Sequence, residues 1–205
     1  MPPNEPLKIG ITGNIGSGKS SFCHYLEKHG QRVLYADKIA HEVLIEKTPL
    51  LIQRWGRKIL QNGNIDRAKI AEIVFADSQE LDFLNSQIHP GVLQRFALET
   101  KQSDLAALCF EIPLLFEAGL EDCFDYLVLV TAPRSKVIER LKVRDPGKTQ
   151  DHIQRLAVQM PDAVKAEKVD LVIHNDQSLQ QLEKEAQKLI ESFPKIRKKQ
   201  SQDFV

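Results

Sequence analysis

Gly13, Asn14, Ile15, Gly16, Ser17, Gly18, Lys19 and Ser20 stand in the order GxxxxGKS. The three glycines let the backbone take positive φ and come close to a ligand, so that successive N–H groups can surround phosphate oxygens. Lys19 supplies a cation for the β- and γ-phosphates, and the Ser20 hydroxyl a ligand for Mg²⁺. With Ser21 following, Asn14 to Ser21 form the expected ATP-binding run. Such a loop works only between a strand and a helix. Leu7 to Ile11 is an apolar stretch of strand length, and residues 19–29 read as a helix stopped by His29-Gly30. The helix adds its positive dipole end at the loop.

Other candidate groups fall at expected strand ends. Arg32 to Ala36 reads as a second strand, which places Asp37 at its carboxyl end, where ligands gather in an open α/β sheet. Asp37 is the candidate for orienting or deprotonating an acceptor hydroxyl, and it also suits capping of a helix starting at Lys38. Leu105 to Ile112 is nearly continuous apolar sequence with one charge, Glu111. A carboxylate ending a buried strand needs a partner, which fits contact with Mg²⁺ through water. Lys136, Arg140 and Arg144 recur at i, i+4 steps and form one positive face of a helix over 134–145. Like charges at that spacing repel unless an anion offsets them, and a transferring phosphoryl group is such an anion. Pro146-Gly147 can hinge this helix as a lid, and Arg155 with Gln159 makes another i, i+4 pair beyond it. His89 can touch substrate or serve helix entry ahead of Pro90. The other five histidines have no ligand-like spacing. Asn175, at the end of a short strand, is a candidate adenine contact.

Alternating strands and helices predict an α/β fold, a P-loop NTPase-type doubly wound parallel sheet with a helical substrate-binding insertion and a helical lid. The core comprises residues 7–37, 102–133 and 161–193, with strands also at Tyr126 to Val130 and 171–173 and a closing helix from Leu179 to Phe193. Residues 38–101 show helical apolar spacing broken at Thr48-Pro49, Asn62-Gly63-Asn64 and His89-Pro90. They form the expected acceptor domain. The lid covers 134–160, and the basic tail, 194–205, reads as a frayed, solvated end.

The chain has 205 residues, enough for one large domain with an insertion. Lysine plus arginine and aspartate plus glutamate both total 28, and this neutral balance argues against a general nucleic-acid binder. Cys23, Cys109 and Cys123 form no CxxC and read as buried thiols. With no stretch near 18 apolar residues and no leader-like start, a cytoplasmic protein without a membrane partner is expected.

The ordered segments GITGNIGSGKSS, ADKIAHEV, GNIDRAKIAEIVF, LNSQIHP, EIPLLFEAGL, ERLKVRD, RLAVQM and DLVIHND resemble the dephospho-CoA kinases from residue 8 to about 190. PLLFE at 113–117 and HP at 89–90 are the selective parts. The resemblance implies transfer of the ATP γ-phosphoryl group to the 3′-hydroxyl of the dephospho-CoA ribose, with Mg²⁺. It implies Asp37 as base and places Arg140 and Arg144 in the lid; with the residue reading above, Lys19, Arg140 and Arg144 are the further catalytic candidates, and Lys136 and Arg155 complete the lid set. His89, Leu115 and Glu117 fall on its acceptor side. The chain departs from the family pattern in carrying Glu111 for aspartate, Tyr35 for an acidic residue and Lys136 for glutamine. ATP and dephospho-CoA are then the partners of a monomer or weak homo-oligomer. The competing readings are a nucleoside or nucleoside-monophosphate kinase and a non-catalytic nucleotide-sensing protein.

Overall fold

The computed structural model describes residues 5–199 and 201–204. Two compact units divide the chain: one runs to Tyr35 and from Thr100 to Asp203, the other from Ala36 to Glu99 with Phe204. Residues 134–160 do not separate from the first unit.

In chain order the elements are β1 (Leu7–Thr12), α1 (Lys19–Lys28) and β2 (Val33–Tyr35), then α2 (Ala36–Glu46), α3 (Thr48–Trp55), β3 (Leu60–Gln61), β4 (Asn64–Ile65), α4 (Arg67–Ala76) and α5 (Ser78–Gln102). The first unit resumes with β5 (Ala107–Glu111), β6 (Tyr126–Thr131), α6 (Arg134–Arg144), α7 (Thr149–Val158), α8 (Asp162–Ala166), β7 (Leu171–His174) and α9 (Leu179–Ser192).

The first unit is built on a sheet of order β2-β5-β1-β6-β7 with every neighbouring pair parallel. β1 sits at its centre, and all its residues, like those of β5, are buried. That is why both read as unbroken apolar runs rather than as an alternation. On one face Ile9, Ile11, Cys109, Val128 and Val130 pack with Phe22, Cys23 and Leu26 of α1 and Leu182, Ala186 and Leu189 of α9. On the other, a side chain at Gly10 would meet Leu127, Phe124 and Leu115 within 2.8 to 3.1 Å, so glycine there admits the segment after β5 against the sheet. The three cysteines are buried and unpaired, and burial pushes the Cys23 thiol up to about 12, which keeps it inert.

The second unit is helical, with two differences from the expected pattern. Residues 57–65 do not continue a helix: α3 stops at Gly56, and Asn62-Gly63, both at positive φ, turn the small antiparallel pair β3–β4. Asn-Gly in two successive left-handed positions is the favoured tight hairpin turn. The break expected at His89-Pro90 is also absent, because α5 runs through Pro90. Proline forfeits one intrahelical hydrogen bond there, but buried Ile88, Val92 and Phe96 carry the helix past it. Gly91 lets Val43 approach, since a side chain at Gly91 would lie 2.7 Å from it.

Where a frayed end was expected, residues 201, 202 and 204 of the tail make specific contacts. Gln202 N–H donates to Asp122 O at 2.8 Å, the Gln202 carbonyl accepts from Lys8 Nζ, and Ser201 Oγ donates to Asp125. In the second unit Phe204 is 8% exposed and packs edge-on against Phe96, with centroids 5.4 Å apart. Basic residues at 195–199 dominate the composition of this segment and mask its one aromatic anchor.

Candidate active site

The phosphate loop joins the carboxyl end of β1 to α1, with Ser17 N–H donating back to Asn14 O at 3.1 Å. Two glycines are indispensable by geometry. Gly18 has φ 94°, and a Cβ there would fall 1.9 Å from Asn175 Nδ2; one at Gly13 would fall 2.2 Å from Val130 O. The loop is thus pressed against β6 and the residues after β7.

Lys19, the first residue of α1, forms an ion pair with Glu111, which ends β5 and is buried. The register explains the meeting: Ile11 of β1 pairs with Glu111, so the carboxylate emerges beside the loop. Ser20 and Ser21 are exposed on the first helical turn, and the Ser20 hydroxyl has no protein partner among the described residues. A hydroxyl and a carboxylate are the hard oxygen donors that suit Mg²⁺, which takes few protein ligands and completes its shell with phosphates and water.

Arg140 reaches from α6 to the loop. Its Nη1 donates to Ser17 O at 3.2 Å and Gly16 O at 3.4 Å, and its Nη2 to Asn175 O at 2.9 Å. Val137 and Leu141 of α6 occupy the space beside Gly16. The positive face expected from Lys136, Arg140 and Arg144 is therefore not held apart for a phosphate. Lys136 Nζ donates to Asp176 O, Arg140 binds loop carbonyls, and Arg144 alone of the three is exposed without a protein partner among the described residues. Backbone carbonyls, partial negative charges at fixed positions, relieve the repulsion between neighbouring cations. Arg155 is exposed on α7, but its expected pairing with Gln159 fails because α7 ends at Val158 and Gln159 is extended, with φ −74° and ψ 148°.

Asn175 is 4% exposed, and its Nδ2 donates to Ser17 O at 2.8 Å. The side chain thus braces the phosphate loop through one of its amide N–H groups, a role that the sequence reading, which points to an adenine contact, does not assign. Leu115 is fully buried beneath β1 and cannot meet an acceptor; Leu114 is the exposed member of that pair, at 48%. Glu117 is engaged as well: its Oε1 accepts from Met160 N–H at 2.9 Å and lies 3.1 Å from Lys165 Nζ. Burial pushes the Glu117 pKa up, but the Met160 hydrogen bond and the Lys165 cation outweigh this and hold it below its ordinary 4.5. Tyr35 donates to Glu27 on α1 at 2.9 Å, and burial with this bond raises its phenol pKa.

Asp37 and His89 belong to the second unit. Asp37 lies in the first turn of α2, which begins at Ala36, so it is not the cap residue expected for a helix starting at Lys38. It is exposed and makes no side-chain bond among the described residues. His89 is exposed on α5, one helical position before Pro90 rather than at a helix entry.

Sequence reasoning missed Lys165 and the bond made by Gln159. Lys165 is wholly buried and donates to Asn14 Oδ1 at 2.9 Å. Gln159 Oε1 accepts from Ile15 N–H at 3.0 Å. Neither has a spacing signal, since their partners lie about 150 residues away in sequence.

A phosphate cradle with a paired lysine, an exposed serine and an arginine on the loop carbonyls is built to bind a nucleoside polyphosphate and transfer its terminal group. Comparison with known proteins names the family. The family profile described as dephospho-CoA kinase matches residues 7–181. A dephospho-CoA kinase of Helicobacter pylori is 38% identical over 190 residues, covering 90% of this chain and 96% of that protein. A Thermus thermophilus crystal structure superposes with a TM-score of 0.85 at 32% identity, covering 92% of this chain and 98% of the other. The dephospho-CoA kinase structure from Campylobacter jejuni gives 0.63 at 25% identity, covering 91% and 96%. With the phosphate cradle and a family match over most of its length, the chain belongs to the dephospho-CoA kinase family.

Proposed function

We propose that the chain transfers the γ-phosphoryl group of ATP to the 3′-hydroxyl of the dephospho-CoA ribose, giving CoA and ADP, the last step of coenzyme A biosynthesis. The observation that carries this reading is the cradle of Gly13 to Ser20 with its Lys19–Glu111 pair, in a chain matching the family from residue 7 to 181.

In this reaction the 3′-oxygen attacks Pγ, the bond from Pγ to the β,γ-bridging oxygen breaks, and the hydroxyl proton passes to the Asp37 carboxylate. Asn14 to Ser21 bind the phosphates. Lys19 exchanges Glu111 for the β- and γ-phosphates as they arrive, keeping its charge compensated throughout. Ser20 and Glu111, the latter through water, would hold Mg²⁺, which neutralises charge on the phosphates. Arg140 orients the loop, while Arg144 and Arg155, exposed on α6 and α7, supply charge to the leaving phosphates. His89 serves the acceptor side. The transition state is loose, so positioning and charge stabilisation carry the rate. No described helix is long and apolar enough to cross a membrane, and we place the reaction in the cytoplasm, carried out by a monomer or weak homo-oligomer.

The test is coupled ADP release with ATP and Mg²⁺, comparing dephospho-CoA with AMP, dTMP, uridine and no acceptor. ADP formed only with dephospho-CoA, with CoA as product, is the expected result. ADP formed with another of these acceptors in its place would overturn the acceptor assignment.

A further inference from the structure

Lys165 is a lysine with no exposed side-chain surface, which is unusual enough to need a reason. Its ammonium group bonds Asn14 Oδ1 at 2.9 Å and Glu117 Oε1 at 3.1 Å. The same Glu117 oxygen accepts from Met160 N–H, and Met160 O accepts from Asn14 Nδ2 at 3.1 Å. The bonds close a ring, Lys165–Asn14–Met160–Glu117. Both ends of the Asn14 amide are engaged, which fixes the flip of the group as well as its position. The next residue, Ile15, is held by Gln159 through its N–H. The first two variable positions of the phosphate loop are therefore clamped by the segment between α7 and α8.

Hydrophobic packing alone does not account for this arrangement. Lys165 is buried while the Glu117 side chain is 24% exposed, so the lysine gives up its hydration for bonds of fixed geometry, and a desolvated cation of this kind adds little net stability of its own. The geometry it fixes is local. Asn14 opens the loop whose N–H groups must converge on phosphate oxygens, and small displacements of such donors forfeit much of their effect.

We propose that Lys165 is a positioning residue for nucleotide binding: with Glu117 as its counter-ion it clamps the Asn14 amide and presets the phosphate loop to receive the polyphosphate. This rests on the nucleotide-binding reading of that loop and not on the identity of the acceptor. Glu117 thereby acts behind the phosphate loop and not on the acceptor.

The test is calorimetric binding of ADP and ATP to the full chain, for the wild type, Lys165→Met, Glu117→Gln and the double variant, each well below its own melting temperature. Loss of a hydrogen bond to a charged group corresponds to roughly a tenfold to hundredfold loss of affinity. Lys165→Met is expected to weaken ADP binding by that factor, and the double variant, which restores charge balance but not the clamp, to stay equally weak. In turnover, KM for ATP rises while KM for the acceptor stays within about twofold. Recovery of near wild-type affinity in the double variant would show that only charge matters, and would overturn positioning. A lowered melting temperature with ADP affinity within about twofold of wild type would overturn it as well, leaving a stability role. Failure of the wild type to bind either nucleotide would overturn the phosphate-site reading itself.

Discussion

Lys19 and Glu111 form an ion pair at the floor of the phosphate loop, with side chains 9% and 6% exposed. Each neutralises the other where neither is well solvated. Removing one partner of such a pair costs about 3–5 kcal/mol, because the survivor is left charged and buried. Lys19→Ala is therefore expected to lose turnover by a hundredfold or more and to melt roughly 10 °C lower. Glu111→Gln differs: the nucleotide phosphates can compensate the liberated Lys19, so ADP binding without Mg²⁺ is kept or tightened while turnover falls. Calorimetry with and without Mg²⁺, beside melting curves, checks both outcomes. Weakened ADP binding in Glu111→Gln would contradict the exchange of partners assigned to Lys19.

Arg140 and Arg144 lie one helical turn apart on α6 but have different surroundings. Arg140 makes three hydrogen bonds to backbone carbonyls of the phosphate loop and of Asn175, whereas Arg144 is exposed. Arg140→Ala is expected to weaken nucleotide binding about tenfold as well as turnover, since it unties the loop. Arg144→Ala is expected to lower kcat while leaving the ADP dissociation constant within about twofold. Parallel measurement of kcat and ADP affinity separates them.

Much of the fold was legible because its signals are local. The glycine loop, the apolar runs of β1, β5 and β6 and the amphipathic pattern of α9 each declare themselves within a few residues. What failed involved contacts made only after folding. Pro90 obeys a local rule that the packing of Ile88, Val92 and Phe96 overrides. Leu115 and Glu117 stand in a selective motif, yet one is buried under Gly10 and the other bonds Lys165, contacts that the motif itself does not signal. Asn175 reads from sequence only as an adenine contact at the end of a short strand, and its bond to the phosphate loop had no signal, because which atoms it meets depends on the depth at which Gly18 seats against it. The network around Lys165 had no signal at all, because a single lysine in a short helix looks solvated until its partner, 151 residues away, arrives.

Glu117 provides a pH prediction. Its folded pKa is held below 4.5, so its contribution to stability is fully present above that value and is lost as pH falls through the folded pKa. Wild type should thus lose melting temperature more steeply between about pH 5 and pH 3 than Glu117→Gln, whose side chain does not titrate. Equal slopes would mean that the carboxylate has the same pKa folded and unfolded. Melting curves across that range decide.

Asp37 is exposed in the first turn of α2 and carries no structural bond among the described residues, so its replacement has little to disturb. Asp37→Asn is expected to fold and melt as the wild type and to bind ATP unchanged. Loss of a general base typically removes a factor of about a hundred to ten thousand from turnover. Near-normal turnover in this variant would remove Asp37 as an essential base and restrict it to substrate orientation.

Phe204 tests whether its own contact contributes to the second unit. Its ring packs edge-on against Phe96, itself wholly buried in the core of that unit, and is 8% exposed. Truncating a buried phenylalanine to alanine costs about 3–5 kcal/mol in a core, and this site at the end of the chain lies toward the lower figure because the tail can relax. Phe204→Ala is expected to lower the melting temperature by roughly 6 to 12 °C, and Phe204→Leu by less than half of that. Both substitutions leave the Lys8, Asp122 and Asp125 hydrogen bonds of residues 201 and 202 in place, so a loss confined to Phe204→Ala identifies the aromatic contact. An unchanged melting temperature in Phe204→Ala would show that the second unit is complete without the tail, and would return residues 201–204 to the solvated role their composition suggests.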